Sequence, residues 1–303
     1  MALVVVCLAL SCRIFAPESN CAKLGQLGAA PPFYVTPMPA DPITSPQNPR
    51  IKNLLKLQQK PAERRAQDLT IIEGYRELTI AHQAGVQITA LFVCPELADE
   101  ARQRELGAML GTQLDWFSVS RPVFEKVAYR EGSDGILALA KPPRRRLTDL
   151  KLPASPLLLI LEAVEKPGNL GAVLRTADAA RVDAVIVCDP RTDLYNPNVI
   201  RASIGCVFTN QVVAAATDEV LAWLRQHGIR SYASTPAATA LYTDMDFRGA
   251  SAIVMGTEAT GLSDQWLAAA DERIKIPMAG YIDSLNVSTC TAIMTFEAVR
   301  QRG

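Results

Sequence analysis

The sequence predicts an α/β protein of two domains, the second built on a mostly parallel, doubly wound sheet. Three observations carry that prediction. At 303 residues, 49% of them hydrophobic and 20% charged, the chain is long enough for two ordinary cores. Short apolar, β-branched runs alternate with helix-like stretches over most of its length, as βα units require. The segment Lys141-Pro142-Pro143-Arg144-Arg145-Arg146, followed by Pro153 and Pro156, interrupts the alternation and marks a linker over 141–155.

Taken in order, the elements begin late. Residues 2–10 are apolar and of signal-core length, yet no basic residue precedes them and they fall far short of the ~18 that a membrane span needs. Residues 11–49 are rich in Pro, Ala and Ser without periodicity. The expectation for 1–45 is a disordered leader, or residues encoded upstream of a true start at Met38. The first domain is expected over 46–140. It opens on a basic stretch in which Arg50, Lys52, Lys56, Lys60, Arg64 and Arg65 stand against Glu63. Lys52, Lys56 and Lys60 fall at i, i+4 and i+8, one face of a helix. A helix over 74–84, a strand over 88–94, a helix over 97–110 and strands over 115–119 and 135–140 follow. In the second domain, 156–303, strands are expected over 157–161, 184–188, 211–215, 231–234, 252–255 and 273–276. Helices are expected over 172–180, 218–227, 264–270 and 287–300, the third N-capped by Ser263.

Composition removes several function classes. The formal net charge is zero, so any affinity for nucleic acid must come from local basic patches. Seven cysteines without a C-x-x-C pair, and only His82 and His227, argue against a disulfide framework, a structural zinc site or a histidine triad. Cys94, Cys188, Cys206 and Cys290 sit among apolar or small residues, like ordinary buried thiols. No G-x-x-x-x-G-K-[ST] occurs, and the first strand-end turn of the second domain lacks G-x-G-x-x-G. A P-loop NTPase and a nicotinamide dehydrogenase are therefore disfavoured.

Three polar turns, each directly after an apolar run, carry the candidate chemistry. They are 169–175, from Asn169 through Gly171 to Arg175; 256–263, with Gly256, Glu258, Gly261 and Ser263; and 283–288, with Asn286 and Ser288, shortly after Ile276-Pro277-Met278. Strand-end loops of a parallel sheet can converge on one pocket. A helix start followed by Arg175 favours an anion such as phosphate. Gly256 and Gly261 permit tight backbone geometry near a ligand, with Glu258 supplying a carboxylate. Each turn also has a purely structural reading: Asn169 and Gly171 shape a turn, Glu258 begins a helix, and Asn286 or Ser288 caps one.

Together the three turns resemble the motifs of the SpoU class of SPOUT methyltransferases, approximately N-x-G-x-x-x-R, G-x-E-x-x-G-[LM]-S and I-P-M followed by S-L-N-V-S. The resemblance covers about the last 150 residues, and Arg201-Ala202-Ser203-Ile204-Gly205 resembles the family's intervening R-x-S-x-G. Upstream, Ile72-Glu73-Gly74 and the elements to 140 are similar to the small L30e-like domain that many members carry. The resemblance implies a parallel-sheet SPOUT domain whose C-terminal segment forms a trefoil knot, preceded by an L30e-like α/β domain. It implies a cytoplasmic homodimer that methylates RNA at the ribose 2′-oxygen using S-adenosyl-L-methionine, with no metal. Asn169, Arg175, Glu258, Asn286 and Ser288 carry over as catalytic or substrate-site positions. Gly256, Ile276, Met278, Leu285 and Asn286 carry over as cofactor-binding ones. The basic set Arg50, Lys52, Lys56, Lys60, Arg64 and Arg65, with Arg201, is expected to hold RNA. Ribosomal RNA of the large subunit is the favoured substrate; transfer RNA, or a non-catalytic RNA-binding role on the same fold, are the alternatives.

Overall fold

A computed structural model describes residues 41–111, 114–129 and 132–303. The expectations about a leader over 1–45 lie almost wholly outside them. Helix α1 (Pro49–Gln59) is capped by Asn48, whose side chain accepts from the Arg50 amide, with Pro49 pre-set for the first turn. It buries Ile51, Leu54 and Leu57 at i, i+3 and i+6. Pro61 ends it, because the residue before proline is driven to extended backbone; Lys60 has φ −113° and ψ 108°. A second short helix, α2 (Pro61–Gln67), follows. The expected basic face is thus broken. Lys52 and Lys56 remain exposed on α1, while Lys60 leaves it at the kink.

Strands β1 (Thr70–Glu73), β2 (Ile88–Val93), β3 (Asp115–Ser118) and β4 (Ile136–Ala140) form a four-stranded sheet in the order β1-β4-β2-β3, flanked by helices α3 (Tyr75–Gln83), α4 (Glu100–Leu110) and α5 (Arg121–Val127). Strand β1 and helix α5 were not expected from sequence. Both are short, and β1 has no alternation to mark it, since all four residues are buried.

The second sheet has seven parallel strands: β5 (Leu157–Glu162), β6 (Ala184–Cys188), β7 (Val212–Ala215), β8 (Arg230–Ser234), β9 (Ala240–Leu241), β10 (Ser251–Met255) and β11 (Glu272–Lys275). Their order is β7-β6-β5-β10-β8-β11-β9. The helices are α6 (Pro167–Ala179), α7 (Pro197–Ala202), α8 (Cys206–Thr209), α9 (Thr217–Gln226), α10 (Asp264–Ala269) and α11 (Val287–Arg302). Both faces of the sheet are covered, which is why β5 reads Leu-Leu-Leu-Ile-Leu without alternation. Leu157, Leu159 and Leu161 join one core with Val173, Phe208 and Met294; Leu158 and Ile160 join another with Val254, Trp223 and Trp266. Each such side chain, fully buried, contributes about 1.5–3 kcal/mol. Segment 141–155 lies outside both sheets, yet Leu147, Leu150 and Leu152 pack onto the second core.

Two local expectations are corrected here. Helix α6 begins at Pro167, five residues before the expected start, because proline at the first helical position costs no hydrogen bond. Asn169 and Gly171 are therefore helical residues, and Arg175 sits more than two turns inside. Gly171 marks a close crossing: a Cβ there would lie 2.4 Å from the Ala202 Cβ on α7. Helices α7 and α8 were also unforeseen, although Asn196-Pro197 forms an N-cap and first-turn proline at the start of α7. No described helix is long and apolar enough to cross a membrane.

Candidate active site

The chain leaves β5 toward β6 and β7 on one side, while β10 has β8 and β11 on the other. A crevice therefore opens beyond the carboxyl ends of β5 and β10, where the strand order reverses. Three segments meet there. Lys166 and Asn169 enter from the start of α6, Glu258 from the loop after β10, and Asn286 and Ser288 from the start of α11.

Glu258 is the hub. Its carboxylate accepts from Lys166 Nζ, from Asn286 Nδ2, and from Asn169 Nδ2 at 2.9 Å. Asn286 Nδ2 also reaches Asn169 Oδ1 at 3.3 Å. The Asn286 Oδ1 accepts from the Ser288 amide at 2.9 Å and the Ser288 hydroxyl at 2.6 Å, so Asn286 both caps α11 and orients Ser288. The hydrogen bond from Lys166, then that from Asn169, holds the Glu258 carboxyl below its ordinary range; the same Glu258 contact raises the Lys166 ammonium. Glu258 is thus a firmly ionised acceptor. The loop that carries it closes on itself, with Thr257 and Gly261 exchanging backbone hydrogen bonds at 3.0 and 3.1 Å. A Cβ on Gly256 would lie 2.2 Å from the Gly261 carbonyl carbon, so only glycine fits. Buried Glu162, at the end of β5, accepts from the Ser263 amide at 2.8 Å and ties the loop to the sheet. The Ser263 hydroxyl in turn caps α10, as expected.

Beside this cluster lies a cavity of about 560 Å³, bordered by Gly256, Glu258, Ile276, Met278, Leu285 and Asn286 among others. All five cofactor positions expected from the motifs therefore meet at one cavity. Its size falls within the roughly 300–1,000 Å³ usual for small-molecule sites. Residues 276–286 run outside any strand or helix, so their backbone polar groups are not committed to a ladder. Leu262, Leu267, Ile276 and Met278 supply apolar walls. Among the described residues no group of His, Cys, Asp or Glu is placed to hold a metal.

Of the expected catalytic set, Asn169, Glu258, Asn286 and Ser288 come together and Arg175 does not. Six residues along a helix amount to about 9 Å of rise and 120° of rotation. Exposed Arg175 borders a different cavity, of about 610 Å³, with Arg76, Ile204 and Phe296. The expected RNA set divides as well. Arg64 is 4% exposed: its guanidinium pairs with Asp193 at 2.7 Å and donates to the Leu57 carbonyl at 2.6 Å, which removes it from any RNA-facing surface. Arg65 remains exposed, Arg50 lies over the Phe117 ring at 4.5 Å, and Arg201 lies over the Tyr129 ring at 4.5 Å. Sequence reasoning passed over Lys166. Its one local signal is position, directly before Pro167, where its backbone begins α6.

Residues 156–296 match the SpoU rRNA Methylase family, and residues 48–138 match the MRM3-like substrate binding domain. The 23S rRNA (guanosine-2'-O-)-methyltransferase RlmB of Vibrio vulnificus is 38% identical over 200 residues, spanning 64% of this chain and 80% of the relative. A solved RNA 2'-O ribose methyltransferase shares 42% identity with a TM-score of 0.76, covering 86% of this chain and 99% of that one. An rRNA methyltransferase from Sinorhizobium meliloti, solved with AdoMet bound, shares 27% identity with a TM-score of 0.78, covering 86% of this chain and 97% of that one.

Proposed function

The chain belongs to the SpoU rRNA methylase family, and on that premise we propose that it methylates the ribose 2′-hydroxyl of large-subunit ribosomal RNA. The observation that carries this reading is the Glu258 cluster, which joins all three motif loops at the edge of the 560 Å³ cavity. The residues present fit S-adenosyl-L-methionine: apolar walls, uncommitted backbone at 276–286, and a tight turn at Gly256 that no side chain could enter. Gly256, Ile276, Met278, Leu285 and Asn286 would hold it, and it supplies an electrophilic methyl group when bound.

The chain's own residues then have separable tasks. A base acting on a hydroxyl works best with a pKa near the operating pH, and Glu258 is moved away from it. Glu258 is accordingly an orienting acceptor that fixes the amides of Asn169 and Asn286. Ser288 donates its hydroxyl proton to Asn286, so its oxygen lone pairs remain to accept from the ribose hydroxyl. Arg175 clamps the adjacent phosphate through a planar, charge-assisted fork. Its guanidinium makes no hydrogen bond or ion pair among the described residues and shares its groove with Phe296, which is 48% exposed. We assign it to the interface of a homodimer that covers this face, with Arg175 serving the second copy. The same reading includes a C-terminal trefoil knot, whose loops 255–262 and 276–286 would border the cavity. It also includes an RNA-binding domain over 46–140, joined by segment 141–155 to a catalytic domain over 156–303, and a cytoplasmic setting. RNA-facing charge falls to Arg50, Lys52, Lys56, Lys60, Arg65 and Arg201.

The test is transfer of labelled methyl from S-adenosyl-L-methionine to RNA of a strain lacking this gene, separated into ribosomal and transfer fractions. Arg175-dependent label in ribosomal RNA is the expected result. Label in transfer RNA alone would move the substrate, and cofactor binding without label in either would overturn the enzymatic reading. Arg175→Lys retaining wild-type kcat would remove the planar clamp.

A further inference from the structure

Tyr129 is 51% exposed, one of few large hydrophobic side chains among the described residues to stand so far into water. Its position is nonetheless held. The Tyr129 amide donates to Glu73 Oε2 at 2.9 Å, and Glu73 is itself buried at the end of β1. The ring is held from the other domain: the Arg201 guanidinium carbon, on α7, lies 4.5 Å from the ring centroid. No carboxylate pairs with Arg201 among the described residues, so the aromatic ring is its partner. An exposed ring fixed at its backbone and backed by a guanidinium is a preformed platform with planar surface left in solvent.

Its place in the fold makes the platform useful. Ala202, the neighbour of Arg201, packs against Gly171 so closely that a Cβ on Gly171 would lie 2.4 Å away. Gly171 is two residues from Asn169 on the same helix. The Tyr129–Arg201 pair therefore sits where the matched substrate binding domain meets α7, the helix packed against the one that presents Asn169 to Glu258.

We propose that Tyr129, backed by Arg201, is a positioning residue that stacks a nucleobase of the RNA and sets its register at the Glu258 cluster. The proposal rests on the RNA reading above. Every base has a π-face, so such a contact adds affinity with little base preference, and it requires an aromatic ring rather than mere bulk. It also differs from a phosphate contact, because it neutralises no charge and releases no counterion.

The experiment compares wild type with Tyr129→Ala, Tyr129→Leu and Tyr129→Phe. Each is titrated with a 12-nucleotide oligo(A) RNA and with its abasic counterpart, and each is assayed for methyl transfer to ribosomal RNA. Expected is a preference of roughly 10-fold for the oligo carrying bases, kept by Phe and abolished by Leu and Ala. KM for RNA rises in the Leu and Ala variants with kcat little changed, and the slope of log affinity against log salt stays as in wild type. Full preference in Tyr129→Leu, or KM unchanged in it, overturns the proposal, since bulk alone would then suffice. A drop in Tm and in cofactor binding in the Leu variant, in step with its KM, would make Tyr129 a domain brace and overturn it as well. Wild type inactive on every RNA would sink the methyltransferase reading, while the oligo titration still decides whether the ring stacks.

Discussion

Lys166 decides the electrostatics of the site, although no motif contains it. Its ammonium and the Glu258 carboxylate move each other's titration apart: the acid is lowered chiefly by Lys166, and the base is raised chiefly by Glu258. A depressed carboxylate keeps its charge as pH falls and loses it only below the ordinary range. In Lys166→Ala the largest cause is gone, so Glu258 protonates at higher pH. The acidic limb of kcat/KM is expected to shift upward in that variant, and an unmoved limb would mean that Glu258 is not the titrating group. Among the described residues, burial pushes the Cys188 thiol up to about 12 and raises Cys94, Cys206 and Cys290, so these four stay protonated at neutral pH. At this scale Asn169, Glu258, Asn286 and Ser288 were legible, because each belongs to a polar stretch that follows an apolar run in the sequence, although Asn169 and Ser288 prove to lie in the first turns of α6 and α11. Lys166 was not, since its partner lies 92 residues away and only folding brings them together.

Two helix boundaries govern what the elements can do. Starting α6 at Pro167 places Asn169 in the first turn, beside Glu258, and carries Arg175 round to another side. Reading Asn169 and Gly171 as a turn made the motif look like one patch; as a helix it presents two faces. Gly171 serves the α6–α7 crossing, and Gly171→Ala is expected to cost about 1–3 kcal/mol through overpacking against Ala202. A lowered Tm, with Asn169-dependent activity partly retained, would be the observation. A neutral variant would show that α7 can retreat freely. Pro61 governs the other case, because ending α1 there separates Lys60 from Lys52 and Lys56.

Across the whole molecule, the two sheets are joined by specific polar contacts as well as by a shared core. Arg64 pairs with Asp193, and the Thr70 hydroxyl donates to the Tyr195 carbonyl at 2.6 Å. Removing Arg64 leaves half-buried Asp193 without its partner and the buried Leu57 carbonyl without this donor, so Arg64→Ala should destabilise by about 1–3 kcal/mol, whereas exposed Lys52→Ala should stay within about 0.5 kcal/mol. Urea midpoints measure both, and equal midpoints would return Arg64 to the surface. What the sequence alone determined about this protein was the local pattern, strand runs and polar strand-end segments that follow from short-range periodicity and side-chain type, with the motif residues singled out by their resemblance to a known family. The tertiary structure alone decided which charges meet. Six basic residues read alike in a row until packing buried Arg64 and left Lys52 in water, and Arg201, expected from the sequence to hold RNA, gained its aromatic partner only when folding brought the Tyr129 ring of the other domain beside it. Charge pairing depends on distance through space, and the order of residues does not encode it until the core has formed.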